Sequence, residues 1–278
     1  MKTLSYNHIV ARAKHHVFGD MSGSYTSKKE GDGYDFAQIR AYTYGDNVKR
    51  IDWKKSSKTS ELQQRIFFEE KEVFTHVIGL LNGSMHFGIT RMKQEVLAEV
   101  IALLGFSSVK GGDLFSISLF GQELILKTAI SKKEGTVREA TKKALELPLL
   151  GQSLDYKAIE QYTLSHLKKS SLLFLVGDFF DMPKLDLISR KHTVFVIIIR
   201  DHFEEKPDNL GSLLVKDPIS MKEERVVLDE VFIKEYTKKQ KLHDSKLEEY
   251  LKKHGINWIK VYTNEDPFTK LSSMFKAY

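Results

Sequence analysis

Three short polar loops carry the side chains best suited to chemistry: Asn82-Gly83-Ser84-Met85-His86, Gly151-Gln152-Ser153-Leu154-Asp155 and Gly177-Asp178-Phe179-Phe180-Asp181. Together they supply hydroxyls, an amide, an imidazole and carboxylates. Such oxygens suit a hard cation like Mg2+, which takes octahedral oxygen ligation and usually keeps one or two carboxylates. They equally suit a polar docking surface. Catalysis has less to stand on. The chain has no Gly-x-Ser-x-Gly elbow, no His-Glu-x-x-His pair, no Walker Gly-Lys-Ser/Thr and no cysteine nucleophile. Ser84 and His86 are neighbours on one turn with no orienting carboxylate in view, so a non-enzymatic role is expected.

The elements around these loops read as an α/β protein. Near-continuous apolar runs at Val73–Leu81, Leu114–Phe120, Ser171–Val176, Thr193–Ile199 and Ile256–Val261 predict strands covered on both faces. Glu123–Lys127 follows Gly121-Gln122 and reads as a hairpin partner of Leu114–Phe120. Helical patterns lie between, at Arg91–Lys110, Thr136–Leu147, Asp155–Lys168 (capped by Ser153 or Asp155) and Asp229–His254. The expected fold is a doubly wound, mostly parallel sheet, with an N-terminal extension (1–71) before the main domain (72–278) and a C-terminal hairpin plus long helix. In such sheets ligands bind at the carboxyl ends of the strands, so the loops after Leu81, Leu150 and Val176 come first.

Composition narrows the classes. The 278 residues are 41% hydrophobic and 29% charged, as in an ordinary globular chain. With no cysteine, disulfides, thiolate metal sites and Fe–S ligation are excluded. The net charge of +6 comes from lysine pairs scattered along the chain, such as Lys54-Lys55, Lys142-Lys143 and Lys252-Lys253. Nucleic-acid binders gather such charge on one face with aromatics, so solvated surface is the favoured reading and nucleic acid a lesser one. Residues 1–8 show no apolar core with a cleavage site, and the longest apolar runs fall short of the roughly 20 residues of a membrane span. A cytoplasmic location is expected.

The three-loop layout resembles the von Willebrand factor A-like domain, whose metal-ion-dependent adhesion site takes Asp-x-Ser-x-Ser from one loop, a Thr from a second and an Asp from a third. More narrowly, the chain resembles a bacterial family of unknown function that carries this domain and is often linked to MoxR-type AAA+ ATPases. The segment from Gly31 to Glu70, "GDGYDFAQIRAYTYGDNVKRIDWKKSSKTSELQQRIFFEE", is its hallmark, through Gly31, Gly33, Asp35-Phe36, Arg40, Tyr42, Gly45-Asp46, Arg50 and Ile51-Asp52-Trp53. "SMHFG", "GDFFD" and "VKDPIS" continue the likeness downstream.

On this resemblance Ser84 takes the second serine position, Asn82 the first, Ser153 the place of the threonine and Asp178 that of the third-loop aspartate. The first-loop aspartate falls on Leu80, which has no lone pair to offer. The resemblance therefore implies a degenerate adhesion site formed by Asn82, Ser84, Ser153 and Asp178, on a protein-interaction adaptor partnered with a MoxR-type ATPase. No cofactor is expected. The alternative keeps Mg2+ on Ser84, Ser153 and Asp178, with Asp181 or His86 moving in to help, and recruits an acidic partner. On either reading, Leu80→Asp is expected to restore metal affinity.

Each residue also has a plain structural explanation. Asn82 and Ser84 would satisfy turn backbone and cap the next helix, Asp178 would cap a short helix near Leu185–Ser189, and His86 would be an exposed loop residue. In the hallmark segment, Asp35, Arg40, Asp46, Arg50 and Asp52 would form an ion-pair network holding the segment to the sheet. With Trp53 they would otherwise form a docking patch.

Overall fold

Period-2 alternation in three central strands accounts for the layering. In the run 172–177, Phe174 and Val176 enter one core while Leu173 and Leu175 enter another. In the run 193–200, Phe195, Ile197 and Ile199 alternate with Val194, Val196 and Ile198 in the same way. Strands apolar on both faces need helices on both faces. The computed structural model describes residues 5–19, 30–31, 35–59, 61–68 and 73–277.

The chain forms two compact units, Gly23–Glu72 and a larger one made of Met1–Ser22 with Val73–Tyr278. Helix α1 (Tyr6–Gly19) belongs to the larger unit, because Ile9, Ala13 and Val17 are buried in its core. The expected extension of residues 1–71 is thus divided, and only its later part stands as a unit. That smaller unit holds β1 (Glu30–Gly31), β2 (Asp35–Ala41), α2 (Trp53–Thr59) and β3 (Gln63–Phe68), its strands antiparallel in the order β1-β3-β2.

In the larger unit the elements run β4 (Phe74–Leu80), α3 (Lys93–Lys110), β5 (Leu114–Phe120), β6 (Leu124–Lys127), α4 (Glu134–Glu146), α5 (Tyr156–His166), β7 (Leu172–Gly177), α6 (Asp186–Lys191) and β8 (Thr193–Arg200). Then come α7 (His202–Glu205), β9 (Gly211–Lys216), β10 (Glu223–Leu228), α8 (Glu230–Lys253), β11 (Asn257–Tyr262) and α9 (Pro267–Ala277). The six-stranded sheet has the order β11-β8-β7-β4-β5-β6, parallel except for the antiparallel β5–β6 hairpin. The strand sequence reverses direction at β4 and β7, so a crevice opens there at the carboxyl ends.

Helices α1, α3, α4 and α9 cover one face of the sheet and α5, α6 and α8 the other. Helix α3 is buried nearly all round rather than along one stripe, since α1, α4 and α9 pack about it. The C-terminal half of α8 enters the core through Leu247 and Leu251, while Phe232 near its start is exposed. The hairpin β9–β10 stands as a separate two-stranded sheet. The second polar loop follows helix α4, not a strand, and Asp155 is the residue that caps α5, accepting from the N–H groups of Lys157 and Ala158.

Candidate functional site

The crevice between β4 and β7 brings the first and third loops together. After Leu80 the chain makes one tight turn at Gly83–Met85, which His86 closes by donating its N–H to the Gly83 carbonyl at 3.0 Å. The Ser84 hydroxyl donates to Oδ2 of Asp178, the residue that follows β7. The second loop joins through its backbone, where the Gly83 N–H donates to the Gln152 carbonyl at 2.8 Å. No hydrogen bond ties the Ser153 side chain to this pair among the described residues. Asn82 is buried, and its Oδ1 has no partner.

The side chain that dominates the crevice is Lys93, the first residue of α3, fully buried at 0% exposure. Its ammonium lies 2.6 Å from Glu204 Oε1 and 3.3 Å from Asp178 Oδ2, and 4.8 Å from the centre of the Phe180 ring. Lysine is almost never buried without partners; here two carboxylates and a ring face supply them. Glu204 is itself fixed by the capping box of α7, its Oε2 accepting from the Asp201 N–H at 3.0 Å.

Arg200, the last residue of β8, donates to the Asp178 backbone carbonyl and stacks its guanidinium 3.9 Å from the Phe180 ring centre. Behind it, Asp244 of α8 takes Arg200 at 3.3 Å and Lys260 at 2.7 Å, and Lys260 also meets Glu205 at 2.6 Å. Phe179 holds a left-handed backbone (φ 52), and its carbonyl accepts from His243 Nε2 at 2.9 Å. Strain of that kind persists only where surrounding contacts enforce it.

These partners set the charge states. Burial pushes the Asp178 carboxyl up, but the Lys93 charge, the Ser84 hydrogen bond and Arg200 outweigh it and hold the group below the ordinary range. Burial wins at Glu204, which is raised despite Lys93. Tyr156 is pushed well up, by burial first and then by Asp178 and Asp181, and its hydroxyl has no partner.

Several expectations change. Leu80 packs in the apolar core with Phe120 and against Gly177, where an added methyl would lie 2.7 Å from the Leu80 Cβ. Its surroundings are hydrocarbon, so an aspartate there would be buried among apolar side chains. Asp178 caps no helix, because α6 begins after Leu185, and Asn82 makes no capping bond with its side chain. His86 and Asp181 are exposed. The donor set does not fit a divalent cation: its one carboxylate, Asp178, is 1% exposed and already paired with an ammonium. Among the described residues no three His, Asp or Glu side chains are placed to hold a metal ion.

Sequence reading missed Lys93, Glu204, Arg200 and Tyr156. Arg200 left a signal, a charge closing the apolar run of β8. Asp201-x-x-Glu204 is a capping box legible in the sequence.

In the smaller unit, Arg40 pairs with Asp46 at 2.7 Å and Asp52 with Arg65 at 2.8 Å. The Arg40 hydrogen bond, with those from the Thr43 N–H and hydroxyl, holds Asp46 down to about 2, and Arg65 keeps Asp52 low. The pairs are local: Asp46 closes its own turn, and Asp52 accepts from the Lys55 N–H at the start of α2. The Asp52 partner is thus Arg65, outside the predicted set of residues. Trp53 is 64% exposed and Tyr44 wholly so. Asp35 lies in β2, but its side chain, like Gly33, is outside the described residues.

Residues 38–246 match the family described as "Protein of unknown function DUF58". The chain belongs to that family. The matched span includes Arg40, Asp46, Asp52 and all three loops of this family member. No curated protein matches it. Among solved structures, BatB from Bacteroides thetaiotaomicron is similar at 11% identity and TM-score 0.46, over 74% of this chain and 98% of that one. An aerotolerance-related membrane protein from Bacteroides fragilis, with multiple mutations to serines, aligns at 12% identity and TM-score 0.44 over 74% and 100%. An uncharacterized membrane spanning protein from Vibrio fischeri aligns at 16% and 0.28 over 74% and 98%. Two of these are named as membrane proteins, and the cytoplasmic location expected from the sequence is withdrawn on that account. Among the described residues no helix is long and apolar enough to cross a membrane.

Proposed function

We propose that this chain is a non-enzymatic interaction domain of the von Willebrand A-like type, which docks a protein partner at the strand-end face without a metal ion. The observation that carries the reading is the internal pairing of Asp178 with Lys93 and Ser84. A carboxylate held charged and buried in that way is neither an open ligand nor a general base. The Ser84 hydroxyl spends its proton on Asp178, and Lys93 is engaged by two carboxylates, so no activated nucleophile results.

The rim of the face suits a protein. Leu150, Ile219 and Met221 are exposed where the β9–β10 turn meets the second loop, the Gly151 N–H donating to the Pro218 carbonyl at 2.8 Å. A MoxR-type AAA+ ATPase is the partner proposed, supported by the sequence resemblance. The Mg2+-bridged alternative loses ground to Lys93. The nucleic-acid reading finds four lysines, Lys206, Lys234, Lys238 and Lys241, around one groove, but no aromatic side chain lines it.

Interferometry between the immobilised chain and a MoxR-type ATPase in EDTA tests the proposal. Binding in EDTA that Met221→Glu weakens about tenfold or more supports it. Binding that needs Mg2+, or a complex indifferent to Met221→Glu, overturns it.

A further inference from the structure

We infer that this crevice is a latent divalent-cation site which Lys93 keeps permanently filled with its own ammonium. The inference concerns the chemistry of the crevice and stands whether or not a partner docks beside it. Lys93 is at 0% exposure, so its charge is balanced entirely by protein groups. Those groups come from separate elements: Asp178 after β7 and Glu204 in α7, with Ser84 after β4 sharing the same Asp178 oxygen. Two carboxylate oxygens from separate elements meet one buried cation, with a hydroxyl beside one of them, as hard-cation sites are built, and an ammonium is likewise a compact, strongly hydrated point charge.

Two further facts fit a cation position. Asn82, two residues before Ser84, keeps a buried Oδ1 with no donor, an acceptor left over in the same loop. Tyr156, whose hydroxyl is also buried without a partner, feels the charges of Asp178 and Asp181. The local charge balance explains why no metal enters as the chain stands. Asp178 and Glu204 are offset by Lys93 and by Arg200, whose guanidinium holds the Asp178 carbonyl. A dication added to that neutral set would be buried without counter-charge, which is prohibitively costly. Removing the ammonium leaves a net negative pocket with two carboxylates and the Ser84 hydroxyl bound to one of them, a donor set for an ion that retains most of its waters.

Mn2+ binding followed by electron paramagnetic resonance, with thermal melts in Mn2+ and in EDTA, tests this on the full chain. Lys93→Ala is expected to bind one Mn2+ about tenfold or more tightly than the wild type, and to melt higher in Mn2+ than in EDTA. Lys93→Ala/Asp178→Asn should lose that binding. If Lys93→Ala is unfolded in EDTA, millimolar Mn2+ should refold it where NaCl of equal ionic strength does not. Three results overturn the inference: Asp178-dependent Mn2+ binding by the wild type, a folded Lys93→Ala that binds no Mn2+, or an unfolded one that Mn2+ does not rescue.

Discussion

Ser84 and Asp178 stand ninety-four residues apart in the chain, yet the hydroxyl of one donates to the carboxylate of the other. The bond spans the point where strand order reverses, tying the loop after β4 to the loop after β7. Lys93 completes the arrangement from the helix that the first loop leads into. A crevice that in this sheet type usually waits for a ligand is closed by the chain's own charges.

The two ends of that bond carry unequal weight. Ser84→Ala deletes one donor to a charged acceptor that keeps Lys93, and should cost about 1.5–3 kcal/mol. Asp178→Ala leaves the ammonium of Lys93 buried with Glu204 as its remaining carboxylate, and should cost about 3–5 kcal/mol. Urea unfolding of both variants checks the order. Equal costs would mean that the carboxylate contributes nothing through Lys93.

Leu80→Asp is expected to fail as a metal-site restoration. It puts a carboxylate among Phe120, Leu175 and other apolar side chains, where an unpaired charge costs several kcal/mol or forces protonation. The variant should melt well below the wild type, with no recovery in Mn2+. A folded Leu80→Asp that gains Mn2+ affinity would show that residue 80 faces the crevice.

Acid sensitivity should trace in part to His76 in β4. Burial first, then the charges of His192 and Lys127, lowers it to about 3, and its Nδ1 meets the Ser116 hydroxyl at 2.6 Å. The unfolded chain takes up this proton near the ordinary value of 6.5, whereas the folded chain resists until about 3. Stability is therefore full above 6.5 and falls as pH drops from 6.5 toward 3, by on the order of 4 kcal/mol at its end. His76→Gln should flatten that slope, leaving the smaller contribution of His192, which burial also lowers. Melting at pH 7 and pH 4.5 measures it; an equal gap between variant and wild type at both values would remove His76 from the account.

What was legible in the sequence follows from periodicity. The six strands of the main sheet, and helices α3, α4, α5 and α8, announced themselves because apolar spacing is a local property. Helices α1 and α9 did not, since α1 is buried against α3 and α4, and α9 against β11 and α3, contacts that local spacing does not announce. The loop residues Ser84 and Asp178 were visible as polar groups at strand ends. Lys93 was not, because a lysine at the start of a helix reads as solvated until tertiary structure encloses it. The burial of Leu80 was hidden for the related reason that which face a strand's last residue takes is set by the sheet around it. Arg65 is a third case: its pairing with Asp52 joins α2 to β3, thirteen residues on.

The hairpin turn over the crevice offers a last, sharper test of how tightly the face is closed. The turn Asp217–Met221 is pinned by Asp217, which accepts from the N–H groups of Ile219 at 2.7 Å and Ser220 at 3.0 Å. It rests on Gly83, where a Cβ would collide with the Pro218 carbonyl, the same carbonyl that accepts from the Gly151 N–H. Gly83→Ala must therefore lift the turn or shift the first loop, at about 1–3 kcal/mol for an overpacked contact. Gly135→Ala, in open space on α4, serves as the control and should be neutral or slightly stabilising. Hydrogen exchange at the Gly151 N–H should speed up about tenfold or more in Gly83→Ala and stay unchanged in Gly135→Ala. Protection retained in Gly83→Ala would place the turn away from the first loop, and with it the exposed rim of Ile219 and Met221.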